Sequence, residues 1–392
     1  MYLHDRIDHN ERFRERRRRA RRRRRIRRAA AAAVLLGGVA GIALGAAYIS
    51  HGSSVTLTGV AGGKLPARPH PRPLPGEIRG VHVTMALASI EGKLDEYLAL
   101  QGWGLNTIEL DVKDENGQVA FQSRKYAPLS VEVGAAHPYY KPAHVAKAVH
   151  ARGMYLVGRV VTFEDPVLGE ARPELALHNS DGSVWHNNGG LAWTDEYDRR
   201  VWKYNVDVAV AAAKAGFDEI QFDYVRFPSD GDLSLIRYPA ARAEPKSTTI
   251  ANFLRYAVRR LRPLGVRVSA DVFGLAATHE LGIGQAPRKI SRILDAIYPM
   301  VYPSHFAPGE YDMRDPNADP GRTVAFALAD FRRDVAGSRA KLVPWLQDFS
   351  LGRTYTVDDV RAQILSAREA HARGYMLWNA GGVYTHDALA AR

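Results

Sequence analysis

The sequence predicts a (β/α)8 TIM barrel preceded by an N-terminal transmembrane helix and a Pro-rich linker. Three observations carry this. From residue 80 onward, Ala-rich helical runs end at Gly, and a short apolar strand follows within one or two residues. Eight such strands can be counted before the chain ends. Ahead of them, residues 29–49 contain neither a charge nor a Pro.

Residues 1–28 form an Arg-rich tail with fourteen Arg against Asp5, Asp8, Glu11 and Glu15, a net +10 out of +12 for the 392-residue chain. Everything after the tail therefore carries only +2, and the basic balance says nothing about the folded part. As a helix, residues 29–49 would be ~31 Å long, enough to cross a bilayer core. Arg on one side and Ser and Gly on the other predict a single-pass anchor in the cell membrane, its N-terminus cytoplasmic and its domain extracytoplasmic. The Arg run also suits a nucleic-acid arm. The adjoining apolar span favours topology, so no nucleic-acid partner is expected. Ala46-Ala47-Tyr48 is a poor cleavage site and the run is long for a signal peptide, so the anchor is expected to stay. In residues 50–78, Pro66, Pro69, Pro71, Pro73 and Pro75 enforce an extended spacer. The absence of Cys excludes disulfides and a lipid-modified cysteine.

Residues 79–392 are read as the barrel. Its strands are expected at 80–85, 107–112, 155–161, 219–223, 266–272, 296–301, 341–347 and 375–378. Helices are expected near 91–101, 142–152, 196–215, 248–262, 286–294, 321–335 and 357–372. The third helix is the clearest, because Val201, Tyr204, Val208, Ala211, Ala212 and Ala215 recur at i, i+3, i+4 spacing. Thr194 or Asp195 is expected to cap its start and Gly216 its end. A doubly wound sheet is the alternative, but Met85-Ala86-Leu87-Ala88 stands where its Gly-rich phosphate turn belongs. No dinucleotide or other cofactor is expected.

In a barrel, function belongs to the loops after each strand. The second strand ends in Glu109, Asp111 and Lys113, and the third in Arg159, then Glu164-Asp165. The fourth ends in Gln221 and Asp223, followed by Tyr224, Arg226 and Phe227; the fifth ends in Ser269 and Asp271. Tyr302 and His305 follow the sixth, Trp345 and Gln347 end the seventh, and Trp378 and Asn379 the eighth. Asp223 reads as a site carboxylate or as a turn cap. The lone His82 reads as a packed or hydrogen-bonding residue. Asp315-Pro316-Asn317-Ala318-Asp319 has the first oxygen positions of a calcium loop, but Pro320 occupies its Gly position and reads better as the start of a helix. No metal site is expected, and no Gly-x-Ser-x-Gly elbow is present. Carboxylates among aromatic rings suit the cleavage of glycosidic bonds.

Several stretches resemble one family. They are Gly80-Val81-His82-Val83-Thr84, the run Asn106 to Asp114, Trp193-Thr194-Asp195, Val201-Trp202-Lys203-Tyr204-Asn205, and the run Phe217 to Pro228. Ser269-Ala270-Asp271-Val272-Phe273-Gly274 and the run Tyr298 to His305 complete the set. The family is a set of bacterial glycoside hydrolases, long known as a domain of unknown function and related to α-amylase-like barrels. The resemblance covers roughly residues 78–390. It implies a (β/α)8 fold and action on a polysaccharide, with a nucleophile at the end of the fourth strand, where Asp223 lies. It implies an acid on the fifth or sixth strand, where Asp271 fits although many relatives carry Glu. Independently, neighbouring strands lie ~4.8 Å apart. Inward carboxylates ending adjacent strands should then be roughly 5–7 Å apart, which fits a retaining mechanism best. Arg226 is expected to pair with Asp223, and a drier site to raise the pKa of Asp271. Glu109, Asp111 and Glu280 are the reserve acids. Asp111, Lys113, Arg159, Tyr224, Arg226, Tyr302, His305, Trp345, Gln347, Trp378 and Asn379 are expected to bind the sugar. The rival is a non-catalytic barrel that tethers glycan at the membrane.

The anchor has a direct check. Full-length protein should fractionate with membranes and resist extraction by high salt, whereas a chain starting near Pro75 should be soluble; release by salt alone would mean that Arg charge, and not an inserted helix, holds it.

Overall fold

The computed structural model describes residues 71–240 and 244–389. The expected tail, the anchor at 29–49 and most of the spacer lie outside these residues. Among the described residues, no helix is long and apolar enough to cross a membrane.

Nine parallel strands form one closed sheet: β1 (Ile78–Val83), β2 (Thr107–Lys113), β3 (Tyr155–Val161), β4 (Glu219–Asp223), β5 (Arg267–Phe273), β6 (Ala296–Met300), β7 (Lys341–Leu342), β8 (Trp345–Gln347) and β9 (Gly374–Trp378). Sequential pairing runs β1 to β6, β6 pairs with both β7 and β8, and β9 returns to β1. The short strands β7 and β8 are one stave of an eight-stave barrel. The expected strand 341–347 is divided at Val343-Pro344, because Pro344 has no N–H for the ladder. The Pro344 carbonyl still accepts from Met376 N at 2.9 Å, so the stave stays attached.

Side-chain alternation sorts each stave. Ile108, Leu110 and Val112 of β2, Ile220 and Phe222 of β4, and Val268, Ala270 and Val272 of β5 are fully buried in the main apolar cluster. Each large aliphatic or aromatic side chain buried this way contributes about 1.5–3 kcal/mol. The alternate residues face the barrel axis. There Ile78, Tyr298, Tyr302, Trp345 and Met376 form a second, smaller cluster. Gly80 makes room for it, since a Cβ there would collide with the Met376 thioether.

The connecting helices follow the expected plan with adjusted ends. Arg199–Ala215 closes at Gly216 with φ 107°, but its cap is Asp198, whose carboxylate accepts from Arg200 N at 2.7 Å. Thr194 and Asp195 lie a turn earlier: Thr194 donates to the Phe163 carbonyl, and Asp195 accepts from Tyr197 N and Ala240 N. The helix expected at 286–294 is only Pro287–Ile290. Pro320 does open the helix Pro320–Val335, with Asp319 as its cap, and Asp315 accepts from Asn317 N. The acids of the calcium-like stretch therefore serve as turn and cap groups.

Barrel closure depends on one residue without a side chain. Gly374 has φ 137° and pairs with Ile78, and a Cβ there would fall onto the Ile78 backbone, which cannot rotate away. Gly374→Ala should lower unfolding free energy by roughly 3 kcal/mol or more in urea titration of the chain from Pro71. Gly76→Ala, which meets nothing within 4 Å, should unfold like the parent.

Candidate functional site

At the C-terminal mouth of the barrel, register aligns residues from β2, β3 and β4. Asp111 pairs with Arg159 across β2–β3, and Arg159 with Gln221 across β3–β4. The Arg159 guanidinium bridges two strand-end acids and also reaches Glu115 Oε2 at 3.4 Å. Nη1 donates to Asp111 Oδ1 at 2.8 Å, while Nε and Nη2 donate to Asp223 Oδ2 at 3.0 and 2.8 Å. The side chains of Arg159, Asp111 and Asp223 are largely buried. Arg226, expected to pair with Asp223, lies elsewhere: its guanidinium stacks against Trp193, Tyr224 and Phe273 at 4.6–5.0 Å.

Asp223 ends β4. Its Oδ1 accepts from Tyr224 N at 2.7 Å, and Tyr224 turns the chain into the loop at φ 48°, a conformation uncommon for a residue with a Cβ. Asp223 thus makes the turn contact of the bland reading and the ion pair of the sharper one. Asp271 lies beside it: Phe222 is in register with Ala270, so the next residues are level on adjacent strands. Asp271 Oδ1 accepts from Gln221 Nε2 at 2.6 Å and Trp345 Nε1 at 2.7 Å. Among the described residues, its Oδ2 has no protein partner. Burial pushes the Asp271 carboxyl well above the usual carboxylate range, and the charges of Asp223 and Glu109 push the same way.

A second layer supports the first. His82 Nδ1 is 2.6 Å from Glu109 Oε2, its Nε2 is 3.6 Å from Asp111, and its ring stacks on Trp378 with centroids 4.5 Å apart. Burial lowers the His82 pKa to about 4, against the opposing charge of Asp111, so the imidazole is neutral at neutral pH. Burial also raises the Glu109 pKa well above its ordinary value. Trp378 is half-buried and meets Trp345 edge-on at 5.6 Å, with Arg159 5.5 Å from its centroid. Tyr302 contacts Phe349 and His305, and His305 Nδ1 lies 3.0 Å from Ser304 Oγ.

Of the expected sugar-binding set, Asp111, Arg159, Tyr302, Trp345 and Trp378 converge around the carboxylate pair. Tyr224 and Arg226 lie on the adjoining β4 loop, and His305 follows β6. Three are held for other purposes. A bulge between Asp111 and Lys113 turns Lys113 outward, where it is fully buried against Asp165 at 2.8 Å and donates to the Val161 carbonyl and to Asn205. Gln347 binds the Ser304 N–H and the Phe349 carbonyl, and Asn379 spans Asp348 and Gly381. The reserve acid Glu280 is exposed in a loop and caps Gly282 N.

Glu164, past the end of β3, was not among the expected site residues. It is 4% exposed and accepts from Asn187 Nδ2 at 2.8 Å. Its sequence signal was its place after a strand end, shared with neighbours that are structural. Burial pushes its pKa from 4.5 to about 8, opposed by Arg226.

Carboxylates and indoles thus gather at the C-terminal mouth of a closed parallel barrel. The comparisons carry this further: residues 80–384 match the family described as "Putative glycosyl hydrolase domain", and the chain belongs to that family. No curated protein matches. Among solved structures, the PgaB (BpsB) glycoside hydrolase domain from Bordetella bronchiseptica is 14% identical, with 81% of this chain and 99% of that one covered and a TM-score of 0.55. The catalytic domain of beta-amylase from Paenibacillus polymyxa is 12% identical, with 80% and 95% covered and a TM-score of 0.51. These two share the fold. A hypothetical protein from Ruminiclostridium thermocellum is 35% identical over 49% of this chain and 97% of its own, with a TM-score of 0.45.

The Glu164 shift has a measurable consequence. The unfolded chain releases this proton near pH 4.5 and the folded chain near pH 8. Stability held by the neutral carboxyl is fully present below pH ~4.5 and is lost as pH rises through ~8. Glu164→Gln, which cannot ionise, should therefore show a smaller fall in melting temperature between those pH values than the parent.

Proposed function

We propose that the chain hydrolyses a cell-envelope or extracellular polysaccharide, with Asp223 as nucleophile and Asp271 as acid and base. The observation that carries this reading is the contrast between two level carboxylates. The Asp223 charge is countered by Arg159, while Asp271 is buried against an indole and an amide with its pKa pushed up. A carboxylate beside a guanidinium and a buried carboxyl that holds its proton suit the roles of nucleophile and acid. Asp271 donates its proton to the glycosidic oxygen as the C1–O bond breaks, and Asp223 forms an ester to C1. Water then attacks C1 and gives its proton to Asp271, and the ester bond to Asp223 breaks. Adjacent strands bring the two carboxyl groups to roughly 5–7 Å, which favours retention. Trp378 offers the half-buried ring on which a sugar face can stack.

The membrane reading of residues 29–49 adds a location outside the cytoplasm. The rival, a barrel that binds glycan without cleaving it, draws on the low exposure of Asp271, 2%.

One substitution separates the readings. Screened against bacterial polysaccharides at a temperature where both stay folded, Asp223→Asn should melt below the parent, because Arg159 loses a charged partner, and should keep glycan binding while turnover falls on the order of 10³-fold or more. Asp271→Asn should lose less on substrates whose leaving group needs no proton. Full hydrolysis by Asp223→Asn would refute the assignment, and binding without turnover in the parent itself would favour the tethering barrel.

A further inference from the structure

The end of the barrel opposite the carboxylates carries a basic hollow that catalysis does not use. Arg255, Arg259, Arg262, Arg292 and Arg339 line a concavity of about 390 Å³ floored by Val258 and Ile293. An adjoining concavity of about 440 Å³ shares Arg255 and Arg292 and adds Arg288 and Lys289. Two acids meet this cluster: Asp295 is shared by Arg262 and Arg339 at 3.2 and 3.5 Å, and Asp334 meets Arg288 at 3.4 Å. Arg255, Arg259 and Arg292 are exposed and have no acid partner among the described residues. Seven positive charges against two are thus concentrated in a barrel whose basic and acidic residues otherwise sum to a negative charge.

Position gives the cluster its meaning. Arg262 comes just before β5, Arg292 before β6 and Arg339 before β7, so all three mark the N-terminal end of the staves. The incoming chain enters at this same end: residues 71–77 lead into β1, and Arg267, the first residue of β5, donates to the Arg72 carbonyl. Arg72 is thereby held at the N-terminal end of the staves.

We propose that this basic hollow docks the barrel onto the anionic phospholipid headgroups of a bilayer, leaving the carboxylate mouth turned away from the lipid. Each guanidinium supplies a fork of donors matched to phosphate oxygens, and the hollow admits a headgroup between several of them. A basic cluster near an anionic bilayer strengthens attachment about fivefold per side chain and weakens as salt screens it. The docking rests on charge in residues 255–339 and needs no inserted helix.

The chain from Pro71 contains all nine strands and both apolar clusters of the described residues and lies within one compact unit, so it folds without residues 1–70 and isolates this contact from any anchor. It should co-sediment with vesicles of phosphatidylcholine and phosphatidylglycerol at low salt, and not with phosphatidylcholine alone. High salt should release it. The double variant Arg259→Glu/Arg292→Glu, melting like the parent, should bind about thirtyfold less or weaker still. If that pair disturbs folding, Arg259→Gln/Arg292→Gln provides the same comparison with a smaller loss. Failure to bind anionic vesicles, equal binding to neutral ones, or binding unchanged by the substitutions would overturn the proposal. So would tighter binding to duplex DNA than to anionic vesicles in the same buffer. Glycan hydrolysis by the same variants should be unchanged, so the two readings fail separately.

Discussion

A single guanidinium orders the barrel mouth. Arg159 is buried at the end of β3 with one acid on each neighbouring stave, and every group nearby takes its place relative to that charge. A buried cation without partners would be prohibitively costly, so Asp111 and Asp223 are needed as much for folding as for chemistry. Arg159 holds one Asp223 oxygen and the Tyr224 N–H the other, so the two together fix the carboxylate plane. The tight turn at Tyr224 follows from that anchoring.

Around this charge the interior becomes progressively drier. His82, Glu109 and Asp271 lie where water is excluded, and burial is the largest push moving all three towards their neutral forms. The mouth therefore holds one fixed ion cluster beside two carboxyl groups pushed well above the usual carboxylate range. Environment, and not residue type, distinguishes two chemically identical aspartates on adjacent staves.

The barrel was legible because its signals are local and repeated. Helix-closing glycines such as Gly216 and apolar runs such as Ile220–Phe222 declare their roles within a few residues. The convergence of Asp111, Arg159, Asp223 and Asp271 was legible too, since strand ends in a barrel must meet. What could not be read was partner choice. Arg226 stands three residues from Asp223 in the chain, yet the loop carries it to Trp193 and Phe273, while the true partner comes from the stave before. Lys113 looked like its neighbours until a bulge of one residue reversed its direction. Glu164 lay hidden for the opposite reason, because its burial arises from Asn187 and a loop distant in sequence. The cap at Asp198 in place of Thr194 or Asp195 is a smaller instance: all are good capping residues, and tertiary bonds from Phe163 and Ala240 decided between them.

The buried Lys113–Asp165 pair also bears on how the mouth can move. Asp165 follows Glu164 directly and accepts from Leu168 N, so the loop after β3 is tied to β2 by an ion pair with no exposed surface on either side chain. Parting that pair would leave two desolvated charges unmatched, so the loop is held as firmly as the sheet itself. In the loop after β4, Arg237 and His178 exchange backbone bonds and Ile236 is buried, while Leu233 and Leu235 reach solvent. A long polymer seeking entry would thus meet one lip riveted by a buried ion pair.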